Sequence, residues 1–236
     1  MNCILLEVRE LDASGVAHIS GARFEHIRDI LRAKTGESIK VGIIGGKLGL
    51  ATITALTNDS IELNVCCDEP PPAKLPLTLI LALPRPKAAR RLCRTIAELG
   101  VPKLILLNSY RVEKSYWQSP LLAPDKVRDY FIEGLQQAGD TIMPELQIEQ
   151  RFKPFVEDRL AAITNNTRAL VAHPYNAEST PSAEQSPTVL AVGPEGGFIP
   201  YEIDKLKAAG MQTISIGERI LKVETAVPTL LAKLFD

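Results

Sequence analysis

The stretch from Val189 to Ala226 decides the fold of the second half of the chain. It begins Val-Leu-Ala-Val-Gly-Pro-Glu-Gly-Gly-Phe-Ile-Pro over 189–200 and ends Thr-Ile-Ser-Ile-Gly-Glu-Arg-Ile-Leu-Lys-Val-Glu-Thr-Ala over 213–226. The apolar runs Val189–Val192 and Thr213–Ile216 are short and uninterrupted, which is typical of parallel strands covered on both faces. Each run leads straight into a glycine. The stretch therefore predicts two strands of a parallel sheet, each followed by a glycine loop.

Glycine loops at the ends of parallel strands are places where ligands bind. In open α/β sheets, small molecules sit just past the carboxyl ends of the strands, and glycine lets the backbone approach them closely. The loop residues selected by this argument are Gly193, Gly196, Gly197 and Gly217. The sequence thus predicts a small-molecule site at this edge of the sheet.

The same two motifs resemble those of a known family. Gly-Pro-Glu-Gly-Gly-Phe at 193–198, followed by Gly-Glu-Arg-Ile-Leu-Lys-Val-Glu-Thr-Ala at 217–226, is similar to the signature of the ribosomal small-subunit RNA methyltransferase E family of the SPOUT superfamily. The resemblance implies methyl transfer from S-adenosylmethionine to N3 of a uridine in small-subunit (16S) ribosomal RNA. It also implies a trefoil knot and a homodimer, which hydrophobic periodicity cannot indicate.

A third buried strand is predicted at Arg168–Ala172, and the resemblance implies roles for residues at all three strand ends. The expected cofactor-binding residues are Ala172, His173, Gly193, Glu195, Gly196, Gly197, Ile216, Gly217, Ile220 and Leu221. His173 could equally be an ordinary residue at a strand end.

Uridine N3 is protonated at neutral pH, so its methylation needs a group that takes the proton and a cation near the ring carbonyls. Glu195 and Glu224 are the catalytic candidates for a base or an orienting carboxylate. Arg219 and Lys222 are the candidates for charge stabilisation. Glu224 could equally stabilise a helix N-terminus, and Glu195 could equally orient the turn.

Length and composition set outer limits on the class of protein. A chain of 236 residues with 45% hydrophobic and 23% charged residues is typical of a globular protein with one or two domains. Its apolar runs are too short to span a bilayer, the N-terminus lacks a signal-peptide pattern, and the four cysteines have no metal-ligand spacing. We therefore expect a cytoplasmic protein with reduced thiols and no metal.

A proline-rich segment, Glu69–Pro76, divides the chain. Three consecutive prolines favour extended polyproline II structure and interrupt helices and central strands. The predicted strands before it are Asn2–Val8, Ser38–Ile44, Leu48–Thr57 and Ser60–Cys67. After it, strands alternate with helices, which indicates an α/β sheet. With the resemblance, this predicts a PUA-like RNA-binding β-barrel domain at 1–70 and a knotted SPOUT α/β methyltransferase domain at 71–236.

Basic residues are concentrated just after this boundary. The net charge of the chain is −1, yet residues 71–128 carry 11 basic side chains against 3 acidic ones. A helix predicted over Ala88–Leu99, with the residue before it, presents four of them as one stripe: Lys87, Arg90, Arg91 and Arg94. Arg85 in the preceding loop adds a fifth residue to the stripe. A surface of one sign indicates a polyanion partner such as RNA; the alternative is a solvated face neutralised by acidic residues elsewhere in the fold.

A second basic segment lies on a helix predicted over Arg23–Ala33. Its run His-Ile-Arg-Asp-Ile-Leu-Arg at 26–32 matches a run in the family, and the resemblance implies RNA contacts from Arg23, His26, Arg28 and Arg32. The predicted apolar face of this helix consists of Phe24, Ile27, Ile30 and Leu31. The alternative is an amphipathic helix with merely solvated arginines.

The last helix is predicted to begin near Glu224 or Thr225, with Thr225 as its N-cap. This start would leave Pro228 in the first turn, where a missing N–H costs no hydrogen bond.

Several positions depart from the family pattern. Lys222 stands where the family usually has Arg, and Arg85-Pro86 and Arg94-Thr95 replace Lys-Gly and Gln-Lys. Gln136–Asp140 replaces Glu-Gln-Ser/Cys-x-Arg, which reverses a charge expected near the substrate. The cofactor loops are intact while the substrate side is altered. A paralogue that binds RNA or cofactor without this activity, or that methylates another RNA, is therefore the alternative function.

Overall fold

The structure, a computed structural model, describes residues 2–235. The chain folds as two compact units, Met1–Ala73 with Ile132–Met143, and Lys74–Phe131 with Pro144–Asp236. Residues 132–143 thus belong with the N-terminal unit, although they follow the proline-rich segment by more than 50 positions in the sequence. Among the helices of residues 2–235, none is long and apolar enough to cross a membrane.

The N-terminal unit is built on a five-stranded sheet. Its strands are β1 (Ile4–Leu6), β2 (Val16–Ser20), β3 (Ser38–Ile43), β4 (Leu48–Leu56) and β5 (Ser60–Glu69). The order is β1-β3-β4-β5-β2, and every neighbouring pair is antiparallel except β1 with β3. Sequence analysis missed β2 and made β1 too long, because the chain turns into a 3-10 helix at Val8–Glu10.

The helix predicted over Arg23–Ala33 is wrong in its second half. The structure has α1 at Gly21–Glu25, continued by a π-helical segment at His26–Leu31. A π-helix has more residues per turn than an α-helix, so the 3.6-residue period fails after His26. Phe24 and Ile27 are buried as predicted, whereas Ile30 is 69% exposed and Leu31 43% exposed.

The second unit contains a seven-stranded parallel sheet. Its strands are β6 (Leu77–Ala82), β7 (Lys103–Leu107), β8 (Glu145–Glu149), β9 (Arg168–Ala172), β10 (Glu178–Ser179), β11 (Thr188–Val192) and β12 (Gln212–Ser215). The order is β10-β12-β9-β11-β6-β7-β8. Every residue of β11 is buried, which explains its uninterrupted apolar run. The predicted α/β class with a parallel sheet is confirmed.

Helices connect the strands of this sheet. They are α2 (Pro86–Glu98), α3 (Pro124–Ala138), α4 (Phe152–Pro154), α5 (Leu160–Thr164), α6 (Pro200–Ala208) and α7 (Val223–Leu234). Shorter helical turns lie at Lys114–Gln118, Pro120–Leu122 and Phe155–Arg159. Residues 132–138 of α3 belong to the N-terminal unit.

The helix α7 begins at Val223, next to the predicted start, but Thr225 is not its N-cap. Lys222 is the N-cap, and the backbone N–H of Thr225 donates to the Lys222 carbonyl at 2.9 Å. Thr225 is therefore already inside the first turn, where its own carbonyl accepts the Thr229 hydroxyl at 2.7 Å. Pro228 lies within the helix, since packing of the apolar α7 face outweighs the one hydrogen bond that proline cannot donate.

Candidate functional site at the carboxyl edge of the parallel sheet

Three loops leave the parallel sheet side by side. Ala172, the last residue of β9, pairs with Val192 of β11 on one side and with Ile214 of β12 on the other. The three strands therefore end at nearly the same level. The loops that start at His173, Gly193 and Ile216 share one carboxyl edge, as the sequence predicts, and this is where open α/β sheets bind ligands.

The first glycine loop depends on two glycines for different reasons. A Cβ atom on Gly193 would lie 3.0 Å from the backbone N of Phe198 and 3.2 Å from two backbone atoms of Gly197, so the loop folds back over Gly193 too closely for any side chain. Gly197 has φ +70° with open space around it. A side chain there would be strained and would project above the loop.

Two side chains outside the motif fix this loop. The Arg111 guanidinium donates a short hydrogen bond to the carbonyl of Gly196. Glu202 is 2% exposed, and its carboxylate accepts the backbone N–H of Tyr110 at 2.7 Å and that of Ile199 at 3.0 Å. The loop after β7 is thereby tied to the N-terminus of α6, immediately after the glycine loop.

Sequence analysis did not select Glu202 as a site residue, although a signal for it existed. Glu202 is the third residue of a helix that starts with Pro200, and this is the position from which an acidic side chain bonds back to the N-cap. Its second bond, to Tyr110, joins residues 92 positions apart, so no local sequence pattern indicates it.

The second glycine loop borders a cavity of about 590 Å³. Ile216 and Gly217 line it, together with the segment 174–181, Glu218 and Lys233. The Lys233 ammonium donates to the Ile216 carbonyl at 3.4 Å. The predicted cofactor residues Gly193, Gly196 and Gly197 are not in this lining. Ile220 is 70% exposed and Leu221 is half-buried. Both side chains therefore leave apolar surface open to solvent.

His173 lies between these loops and is half-buried. Its backbone N–H donates to the Ile214 carbonyl at 2.9 Å, and its ring meets the Tyr175 ring edge-on at 5.7 Å between centroids. Burial lowers the pKa of the imidazole below its usual 6.5. His173 is therefore a neutral group at the edge of the site at pH 7.

Both catalytic carboxylate candidates are engaged by arginines of the basic stripe. Glu195 Oε1 accepts the backbone N–H of Arg85 at 3.0 Å and its side-chain Nε–H at 3.2 Å. Glu224 Oε1 lies 2.6 Å from Nε of Arg91. Two of the five stripe residues are therefore neutralised by acidic residues from elsewhere in the fold, as the alternative interpretation of the stripe expects.

The other members of the stripe have different surroundings. The guanidinium groups of Arg90 and Arg94 lie 5.5 and 5.6 Å from the centroid of the Tyr130 ring, within cation–π range. Lys87 is exposed. Arg219 and Lys222, the predicted charge stabilisers, are also exposed, and within residues 2–235 they form no ion pair.

Two of the four predicted RNA-binding residues of the N-terminal unit are held by neighbours. Arg23 forms an ion pair with Glu10 and donates to the Leu5 carbonyl at 3.0 Å. Arg28 pairs with Asp29 at 2.6 Å and lies 5.0 Å above the Phe24 ring.

The remaining two residues of that segment differ. His26 Nε2 is buried without a hydrogen-bond partner, while Arg32 ends the π-helical segment with φ 53° and is exposed. The role of all four residues in RNA binding stays a prediction.

The altered segment Gln136–Asp140 belongs to the architecture of the N-terminal unit. The carbonyl of Gln136 accepts the backbone N–H groups of Asn2 and Cys3 at 3.0 and 3.1 Å. Asp140 is 3% exposed, and its carboxylate accepts the N–H of Ile142 at 2.9 Å. The side-chain oxygen of Gln136 also accepts the backbone N–H of Leu5 at 3.5 Å, so both side chains are engaged within the unit.

Two aromatic residues in the segment that follows β7 differ in exposure. Trp117 is half-buried, and its indole N–H donates to the side-chain oxygen of Asn108 at 3.0 Å, as expected of a packed side chain. Tyr110 is 79% exposed and follows β7 at the same carboxyl edge. In the part of the chain that the structure describes, no group of three or more His, Cys, Asp or Glu side chains is placed to hold a metal ion.

Two protein-family models match the chain, one in each part of it. A model described as an RNA methyltransferase domain matches residues 71–234, and one described as an RNA methyltransferase PUA domain matches residues 19–66. The matches confirm the predicted fold class, an α/β methyltransferase domain preceded by a PUA-like unit.

Individual relatives agree with these models. The chain is 30% identical over 238 aligned positions to the ribosomal RNA small subunit methyltransferase E of Treponema pallidum, covering 96% of this chain and 87% of that protein. The crystal structure of the Neisseria gonorrhoeae ribosomal RNA small subunit methyltransferase E, bound to S-adenosyl methionine, matches with a TM-score of 0.75 at 21% identity, over 98% of this chain and 95% of that one. The Legionella pneumophila protein Lpg2936, in complex with the bound cofactor SAM, matches with a TM-score of 0.76 at 23% identity, over 98% and 95%.

Proposed function

Because this chain belongs to the ribosomal RNA small subunit methyltransferase E family, we propose that it methylates small-subunit ribosomal RNA with S-adenosylmethionine, at N3 of a uridine. The observation that carries the proposal is the pairing of Ala172 with both Val192 and Ile214. It brings three loops to one edge of the sheet, and two of them contain the glycine motifs.

The residues at this edge fit the cofactor. Gly193 lets the first loop fold closely back on itself, and Gly197 and Gly217 have positive φ. Backbone N–H and C=O groups of these loops can therefore reach an adenosine directly, while Ile216, Ile220 and Leu221 offer apolar contact. When bound, S-adenosylmethionine supplies an electrophilic methyl group on a sulfonium.

The side chains around the loops supply binding and charge. Arg219 and Lys222 are exposed beside the second glycine loop and would stabilise the negative charge that spreads over the uridine carbonyls once N3 loses its proton. Glu195 and Glu224 would receive or relay that proton. Holding N3 in line with the transferred methyl group supplies much of the rate, since orientation removes an entropic cost.

RNA would be held by the basic stripe of α2 and by the PUA-like unit. We also propose that the chain acts as a homodimer with the trefoil knot of its superfamily, in the cytoplasm where ribosomal RNA is made. Light scattering of the purified protein tests the dimer, which should give twice the 25.8 kDa mass of the chain.

The deciding experiment titrates S-adenosylmethionine into the wild type and two glycine variants by calorimetry. Gly197→Trp places an indole above the first glycine loop. Gly210→Trp is the matched control, since Gly210 also has positive φ (+90°) and open space but precedes β12, at the amino edge of the sheet. We expect binding to be abolished by Gly197→Trp and retained by Gly210→Trp. No binding by the wild type, with or without RNA, would contradict the proposal.

The base specificity is tested separately. Transfer of a radiolabelled methyl group to small-subunit RNA should depend on the same loop. A methyl group at N3 blocks the Watson–Crick edge, so reverse transcription should stop at the modified uridine. Label on another base, or a product that is read through, would contradict the N3 assignment and leave the methyltransferase assignment intact.

A second candidate is a protein that binds RNA or cofactor without turnover. The observation that favours it is the engagement of both Glu195 and Glu224 by arginines, which leaves neither free to accept a proton in this state. Cofactor binding together with RNA binding, but without label transfer, would select this candidate.

A further inference from the structure

Two arginine–carboxylate pairs join the predicted RNA surface to the predicted active site. Arg85 and Arg91 come from the basic stripe, while Glu195 belongs to the first glycine loop and Glu224 to the first turn of α7. The distances are 3.2 Å for Arg85 Nε to Glu195 and 2.6 Å for Arg91 Nε to Glu224. Each pair thus connects a group suited to bind phosphate with a group suited to act on the base.

The two partners of each pair differ in their access to solvent. The side chains of Arg85 and Arg91 are 65% and 66% exposed, whereas those of Glu195 and Glu224 are 30% and 26% exposed. Approaching RNA would therefore meet the arginines first. Ion pairs between exposed groups are weak, and a phosphate offers arginine a charge-assisted acceptor at least as good as a carboxylate. A polyanion can consequently take these arginines from their partners.

Arg90 provides a comparison on the same helix, because its guanidinium lies over the Tyr130 ring. Phosphate binding at Arg90 leaves the active-site carboxylates unchanged, whereas phosphate binding at Arg91 uncovers one.

We propose that the RNA backbone and the two active-site carboxylates compete for Arg85 and Arg91, so that RNA binding releases Glu195 and Glu224 into the site. The proposal rests on the proposed function and adds a regulation of it. The protein without RNA is held in a paired state, in which the carboxylates are neutralised. The pairs lower the affinity for RNA by the free energy needed to open them, and the coupling is reciprocal.

A double-mutant cycle on Arg91 and Glu224 tests the competition. We would measure the affinity of the full chain for in vitro transcribed small-subunit ribosomal RNA, without cofactor and at low salt, by fluorescence anisotropy. Glu224→Gln leaves Arg91 unpaired, so we expect the Kd to fall about two- to five-fold, which corresponds to the strength of an exposed ion pair. In the Arg91→Gln background, Glu224→Gln should leave the Kd nearly unchanged.

Glu218→Gln is the matched control for charge. Glu218 is exposed in the neighbouring loop, forms no ion pair within residues 2–235, and its substitution removes the same negative charge. Its effect on the Kd measures general electrostatic repulsion of RNA. Equal Kd changes for Glu218→Gln and Glu224→Gln, or a gain that persists in the Arg91→Gln background, would overturn the competition. Circular dichroism and melting temperatures establish that every variant is folded.

The outcomes separate this proposal from the proposed function. Tight RNA binding without coupling between Arg91 and Glu224 refutes the competition and leaves the methyltransferase assignment standing. Absence of RNA binding by the wild type refutes both. A coupling that weakens as salt rises from about 50 to about 200 mM supports the competition, because screening weakens ion pairs and phosphate contacts together.

Discussion

The glycine loops and the basic stripe of α2 both belong to the α/β unit, but they are specified in different ways. The loops are defined by backbone geometry, as Gly193 and Gly197 show: one excludes a side chain by close approach, and the other has positive φ. The stripe is defined by side chains whose partners come from distant elements, as Arg91 and Glu224 show across more than 130 positions of sequence. Local sequence therefore identifies the loops well and the electrostatic state of the stripe poorly.

This difference predicts that the loops respond to single changes in all-or-none fashion, while the stripe responds in small, graded steps. A loop fixed by close backbone contacts has few alternative conformations, whereas exposed arginines exchange partners at little cost. Four predictions test this contrast.

The largest effect is expected from Glu202→Ala. This buried carboxylate accepts two backbone N–H groups, from Tyr110 and Ile199, and its removal leaves both donors unsatisfied. We expect the free energy of unfolding to fall by about 3 kcal/mol, with loss of S-adenosylmethionine binding, measured by urea denaturation and calorimetry.

The control for this change is Glu202→Gln, whose amide keeps one acceptor and should retain more than half of the lost stability. If the alanine variant unfolds at the wild-type urea concentration, the bonds to Tyr110 and Ile199 do not hold the loop.

The next effect compares two glycines of one loop. Gly193→Ala places a Cβ 3.0 Å from the backbone N of Phe198, and backbone atoms cannot move aside cheaply. Gly196→Ala places one 2.9 Å from Cδ of Arg111, the middle of a flexible side chain. We expect Gly193→Ala to destabilise the protein by about 1–3 kcal/mol and Gly196→Ala by clearly less, as judged from thermal unfolding. Equal losses would mean that backbone crowding at Gly193 is not the constraint.

The features of the molecule that the sequence predicts correctly are again the ones set by local backbone geometry. Short uninterrupted apolar runs and the residues that end them are local properties of the sequence. The strands β9, β11 and β12 therefore lie within one residue of the predicted runs at each end. The sheet order, which brings Ala172 between Val192 and Ile214, could not be derived from periodicity.

The errors were also physical in origin. The Arg23–Ala33 helix was assigned a 3.6-residue period that its π-helical half does not have. The basic stripe was judged by the absence of acidic residues within the stripe, and the carboxylates that engage Arg85 and Arg91 come from the loop after β11 and from α7. Neighbours distant in sequence decide this second case.

A smaller effect is expected from Tyr130→Leu, which removes the ring beneath Arg90 and Arg94. The variant should lose about 1–2 kcal/mol of stability, in which the cation–π contacts account for about 0.5–1 kcal/mol and the smaller buried side chain for the rest. Tyr130→Phe keeps the ring and is the control. Should Tyr130→Phe lose as much stability as Tyr130→Leu in urea denaturation, the ring face does not hold the arginines.

The smallest effect concerns the pH dependence of stability at His173, which lies at the loop edge and is held neutral by burial. Burial lowers the pKa of the folded imidazole below 6.5, so the unfolded chain takes up the proton first as the pH falls. The contribution of this residue is fully present above about pH 6.5 and is lost as the pH falls from there through the folded pKa. His173→Gln cannot titrate, so its melting temperature should fall less than that of the wild type between about pH 7 and about pH 5.5. The change in melting temperature is small because the ring is only partly buried. A graded response of this kind would show that the all-or-none behaviour expected of the loops does not extend to residues at their edge. Identical pH profiles for the two proteins would show that burial of the imidazole carries no energetic consequence.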